Sequence, residues 1–188
     1  MSPRILVVDC EDSFVQTLAR YAREHGAKTV VVRADALDVG ALAAPDAVIL
    51  SPGPGRPADV PAAAAVVRAL PHTPILGVCL GHQVLCEAYG GATEASLDPM
   101  HGRASPVTHD GSTLYAGLPN PFRAARYHSL IGVPGPTLLA DAWSDGLVMG
   151  ARHPDRPHHG VQFHPESLLT EGGHRMIGNF VAMAEAAR

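Results

Sequence analysis

Short runs of branched apolar residues alternate with helically spaced segments through the first half of the chain. Arg4 to Asp9 centres on Ile-Leu-Val-Val, the pattern of a buried strand. Asp12 and Ser13 then stand where a helix would be capped. That helix would carry Phe14, Val15, Leu18, Tyr21 and Ala22 on one face and stop at Gly26. Thr29 to Val32 and Ala47 to Leu50 are a second and a third branched run. Asp59 to Leu70 is Ala-rich and helical in character, with Pro61 near its start, where a missing N–H does no harm. Ile75 to Val78 predicts a fourth buried strand, and His82 to Tyr89 a helix closed by Gly90-Gly91. Such alternation predicts an α/β architecture, a mostly parallel sheet covered by helices on both faces.

Beyond Gly91 the pattern changes. Prolines and turns such as His109-Asp110-Gly111 predict short antiparallel segments and loops as far as about Arg152. Val161-Gln162-Phe163 predicts one more strand, and Gly173 to Ala187 a last helix. No repeat or linker divides the chain, so 1–188 reads as a single domain.

Composition narrows the function classes. Hydrophobic residues make up 46% of the 188 and charged residues 17%, a globular balance. The formal net charge of −4, with no basic run, gives no sign of nucleic acid or an anionic membrane as partner. No apolar run approaches membrane-spanning length, and the N-terminus leads straight into a strand. Three cysteines, Cys10, Cys79 and Cys86, are too few for a disulfide framework. The expectation is a soluble, cytoplasmic protein with reduced thiols and no metal or cofactor.

The candidate chemistry lies between the fourth strand and its helix. In Gly77-Val78-Cys79-Leu80-Gly81 a cysteine has a glycine two residues away on each side, the cysteine form of a nucleophile elbow. Cys79 would stand at a helix N-terminus, where the macrodipole favours a thiolate. The Leu80 N–H would face a developing oxyanion. Alone, the pattern fits a buried structural cysteine as well. Partners come from the C-terminal half. In Gln162-Phe163-His164-Pro165-Glu166, an extended backbone through Pro165 would put His164 and Glu166 on one face, the carboxylate orienting the imidazole. His82, three residues after Cys79, has no such carboxylate beside it in sequence. Ser51-Pro52-Gly53-Pro54-Gly55 also follows a strand, and only its glycines offer central N–H donors. By itself it reads as an ordinary turn. His153, His158 and His159 match no compact metal-ligand spacing and read as a solvated loop.

Taken together, these motifs resemble the class I, triad-type glutamine amidotransferases, closest to the glutaminase components of anthranilate synthase and aminodeoxychorismate synthase. The resemblance runs through Asp12-Ser13-Phe14, Ser51 to Gly55, Gly77 to Gln83 and Met100-His101-Gly102. It continues through Gly117 to Pro121, Arg126 to Leu130 and Gln162 to Ser167. It implies a flavodoxin-like three-layer fold with a small antiparallel extension. It also implies Cys79 as nucleophile, His164 as general base and acid, and Glu166 as its orienting partner. Gly53 and Leu80 would be oxyanion donors and Gln83 would hold the substrate amide. Pro54 belongs to the same loop, and Gly55, Ser129 and Leu130 would position the α-groups of glutamine. The implied partner is a chorismate-binding synthase subunit that receives the ammonia, docked near Met100 to Gly102 and Tyr127 to Ser129. A free-standing γ-glutamyl hydrolase and a catalytically silent regulatory subunit are the alternatives. Two departures, Asp9-Cys10-Glu11-Asp12 and Arg103 after Met100-His101-Gly102, fall outside the triad and bear on which partner is served: anthranilate synthase first, with aminodeoxychorismate synthase or aminodeoxyisochorismate synthase as the alternatives.

Overall fold

The computed structural model describes residues 1–188. The parallel strands are β1 (Arg4–Asp9), β2 (Lys28–Arg33), β3 (Ala47–Leu50), β4 (Ile75–Val78) and β9 (His158–Val161). The antiparallel ones are β5 (Ala92–His109), β6 (Phe122–Val133), β7 (Leu139–Ser144) and β8 (Leu147–Arg152). All nine lie in one sheet, ordered β2-β1-β3-β4-β9-β8-β7-β5-β6. The first five pair in parallel. From β9 onward every pairing is antiparallel.

Side-chain alternation explains why the parallel strands are apolar throughout. In β1, Ile5 and Val7 join a core that includes Leu18 of α1 (Val15–Glu24) and Phe180 of α4 (Gly173–Ala186). Leu6 and Val8 face the other way, toward Val66 of α2 (Pro61–Ala69) and Val84 of α3 (Leu80–Ala88). A strand covered on both faces has no polar side, so period-2 alternation disappears from its sequence. No helix is long and apolar enough to cross a membrane.

Several local expectations need correction. Phe14 is 47% exposed rather than part of the helix face, and Ser13 does not cap α1. Instead the Asp12 carboxylate accepts the Phe14 N–H at 2.7 Å. The helix after the elbow starts at Leu80, two residues before His82. The antiparallel segments include one long strand, β5, bulged between Ala95 and Met100. The last parallel strand ends at Val161, so Gln162 and Phe163 lie beyond it. His158 and His159 are buried in that strand and not in a solvated loop.

Candidate active site

Cys79 sits at the junction of β4 and α3, at the carboxyl end of the parallel sheet, where open α/β folds bind ligands. Its backbone has φ 51° and ψ −101°, a region that L-residues rarely enter and that costs about 1–3 kcal/mol. The flanking glycines make this turn possible. A Cβ on Gly77 would lie 2.4 Å from the Gly81 carbonyl oxygen, and one on Gly81 would lie 2.3 Å from that of Leu50. The elbow is therefore pressed against β3 with no room for side chains. The Cys79 N–H donates to the Val161 carbonyl at 2.8 Å, tying the elbow to the end of β9.

His164 and Glu166 come just after that strand end. Their contact, Nδ1 to Oε1, is 2.6 Å, and both side chains are buried. A tight turn produces it, not the expected extended backbone. The Ser167 N–H closes on the His164 carbonyl at 3.2 Å, with Pro165 at the turn position where a fixed φ fits. Thr170 Oγ1 donates to that same carbonyl at 2.6 Å and accepts the Ala125 N–H at 2.9 Å. The His164 N–H donates to the Ala125 carbonyl at 3.0 Å.

The electrostatics favour an ion pair. Burial alone would push the His164 pKa down, but the neighbouring Cys79 and Glu166 raise it to about 10. Glu166 Oε2 is buried without a partner, so the carboxylate's interaction within the site is concentrated on the imidazole. His164 Nε2 makes no hydrogen bond in the resting geometry. Cys79 is close enough to raise its basicity all the same, and catalytic hydrogen bonds are often long before substrate binds. The other two thiols are hard to ionise. Burial pushes Cys10 up to about 11 and Cys86 to about 12.

A cleft of about 160 Å³ opens beside Cys79. It lies below the usual range for drug-sized ligands and suits a compact substrate. Gly53, Pro54, Gly55, Leu80, Gln83, Ser129 and Leu130 all line it with Cys79. A larger cleft, of about 600 Å³ beside Asp9, Cys10 and Glu11, shares only the Pro54-Gly55 loop and holds none of the three triad residues. Gly53 is packed so closely that its Cβ would lie 2.1 Å from the Cys10 carbonyl oxygen. Cys10 has a scaffold position: its N–H donates to Ser51 Oγ at 2.9 Å, at the root of the glycine loop.

Four residues to which the sequence assigned no catalytic or substrate-binding role also shape the site. Tyr127 and His128 line the cleft, and the Tyr127 ring stands edge-on to His164 at 5.1 Å. Arg126, fully buried, donates to His128 Nε2 at 3.1 Å and to Asp98. Gln162 lies against the Cys79 sulfur at 3.6 Å. The motifs contained all four, but their placement depends on the β6 pairing and on the path of the chain after β9. Met100 to Gly102 and Tyr127 to Ser129 lie in strands β5 and β6, paired at Met100 with His128. His82 is excluded from the cleft. It is fully buried, its Nε2 lies 3.6 Å from Cys86 Sγ, and burial drives its pKa down to about 4. No cluster of three or more His, Cys, Asp or Glu side chains is placed to hold a metal ion.

Comparison with known proteins bears on the chemistry. The family described as glutamine amidotransferase class-I matches residues 6–184. Anthranilate synthase component 2 of Thermus thermophilus is 46% identical, over 95% of this chain and 91% of its own. Aminodeoxychorismate synthase component 2 of Escherichia coli is 43% identical, over 94% of this chain and 98% of its own. A crystal structure from Thermoplasma acidophilum, described as that of a GMP synthase subunit, superposes with a TM-score of 0.90 at 26% identity. That alignment covers 99% of this chain and 96% of the other.

Proposed function

The chain belongs to the class-I glutamine amidotransferases, and from that premise we propose that Cys79, His164 and Glu166 hydrolyse glutamine to supply ammonia to a chorismate-aminating synthase subunit. The observation that carries this reading is the buried His164–Glu166 contact beside a strained cysteine at a helix N-terminus. Glu166 holds the Nδ1–H and leaves Nε2 facing the thiol. The thiol proton passes to Nε2, and the thiolate attacks the side-chain amide carbon of glutamine. The N–H groups of Gly53 and Leu80 receive the oxyanion. Collapse of the adduct breaks the C–N bond, with the imidazolium giving its proton to the departing ammonia. Neutral His164 then takes a proton from water, which attacks the γ-glutamyl thioester and releases glutamate. Gln83, Gly55, Ser129 and Leu130 hold the substrate in the small cleft. The subunit needs no cofactor for these steps and works in the cytoplasm.

The first partner reading is anthranilate synthase, feeding tryptophan synthesis, supported by the Thermus relative. The second is aminodeoxychorismate synthase, feeding folate synthesis, supported by the Escherichia relative. Ammonia release is to be measured for the chain alone, with each synthase subunit, and with subunit plus chorismate. Activity should be low alone and rise with the correct partner, and the aminated product identifies the pathway. Full activity of the chain alone would instead mark a free-standing hydrolase. Cys79→Ala should abolish glutamine-dependent amination while added ammonia still supports the partner's reaction.

A further inference from the structure

The sulfur of Cys79 receives one hydrogen bond in the structure, and it does not come from His164. The donor is the side-chain amide of Gln162, with Nε2 3.6 Å from Sγ. Gln162 is completely buried, and its amide orientation is dictated by its surroundings. The Gly132 backbone N–H, which can only donate, lies 2.9 Å from Gln162 Oε1. That oxygen therefore faces Gly132, and the NH₂ group must face the sulfur. A second amide is fixed in the same sense. Gln83 Nε2 donates to the Leu130 carbonyl at 3.2 Å and lies 3.4 Å from Gln162 Oε1. Two donors thus polarise the Gln162 carbonyl, and the amide passes that polarisation on toward Sγ.

We propose that Gln162 is a dedicated donor to the Cys79 thiolate, stabilising its charge without exchanging a proton with it. The inference rests on the reading of Cys79 as nucleophile. When the thiol proton moves to His164, the new negative charge on sulfur strengthens the bond from Gln162, because donors to charged acceptors are the stronger ones. In the thioester the sulfur is neutral and this bond weakens. When the water adduct collapses, the C–S bond breaks with its electron pair going to sulfur, and the Gln162 donor is again in place. Gln162 also fixes the sulfur in the buried direction while His164 Nε2 is unpaired. The glutamine therefore holds the nucleophile aimed before substrate closes the Cys79–His164 contact.

Gln162→Glu tests this directly. It retains an acceptor for Gly132 and Gln83 and puts a carboxyl oxygen, with its added charge when ionised, where the donor faced Sγ. The pH profile of Cys79 alkylation by iodoacetamide is to be measured, with Cys79→Ala as the blank for Cys10 and Cys86. The midpoint should rise by about one pH unit, a tenfold smaller ionisation constant. Glutamine-dependent kcat/KM should fall by at least that factor. Gln162→Met, of similar length and with neither donor nor charge, should shift the midpoint in the same direction, which separates loss of the donor from the charge that Glu adds. An unchanged alkylation midpoint in a folded variant overturns the proposal. Glutaminase activity surviving in Cys79→Ala would instead refute the nucleophile reading, leaving the two failures distinguishable.

Discussion

At the residue scale, the two histidines near Cys79 separate by environment and not by distance along the chain. His164 is held by Glu166 and its pKa is raised to about 10. His82 is buried against Cys86 and its pKa is driven down to about 4. His164→Ala should therefore lower glutamine turnover by about 10²–10⁴-fold, the usual value of general acid–base catalysis. His82→Ala should cost less than about tenfold in turnover but should lower Tm, since truncating a fully buried ring leaves a cavity beside Gly132 and Gly160. Steady-state ammonia release and thermal unfolding on both variants check this, and equal turnover losses would contradict it. Much of this contrast was readable in the sequence, because a carboxylate two residues from His164 is a local fact. The turn that joins them was not, since extended and turn backbones both bring positions 164 and 166 together. Gln162 was harder still. Its role depends on which end of its amide faces Sγ, and Gly132, thirty positions earlier in the chain, decides that.

At the element scale, the elbow depends on close backbone approach as much as on its cysteine. A methyl group at Gly81 would meet the Leu50 carbonyl oxygen at 2.3 Å, a backbone atom in the middle of the parallel sheet. Gly111 has a positive φ, of 78°, which Gly81 does not, but a Cβ there meets nothing within 4 Å. Gly81→Ala should destabilise the chain by about 2–4 kcal/mol through forced displacement of β3 or α3. Gly111→Ala should cost only about 1 kcal/mol, the strain of its backbone conformation. Urea unfolding of both variants measures the difference, and equal costs would mean the elbow is not sterically locked. Strand and helix order was legible through α3 because parallel strands buried on both faces read as unbroken apolar runs. The bounds were misplaced at β9, where His158, His159 and Gly160 replace that run. The polarity of His158 is met inside the fold: its Nδ1 lies 2.7 Å from the Tyr89 hydroxyl, and its Nε2 lies 3.1 Å from the Leu70 carbonyl. A histidine satisfied by tertiary partners looks like a loop residue until those partners are known.

At the scale of the whole molecule, the same buried histidines set the pH range over which the fold survives. Burial lowers the pKa of His82, His128, His158 and His159 to about 4, against about 6.5 for an unfolded imidazole. Between those values the unfolded chain binds protons that the native chain refuses, so stability falls as pH falls. Asp141 works in the opposite direction. Its burial beside Tyr115 raises it to about 7, so the native state holds a proton there that the unfolded chain has released. Four imidazoles less one carboxyl leave about three protons taken up on unfolding. The unfolding free energy should then drop by about 4 kcal/mol per pH unit at its steepest, between roughly pH 6 and 4.5. A domain with a total stability of about 5–15 kcal/mol cannot sustain that slope for long. Urea titrations across this pH range give the slope directly. His159→Gln should reduce it by about a third, because the substituted side chain cannot take up the proton. An unchanged slope in that variant would mean that His159 takes no part in the acid transition.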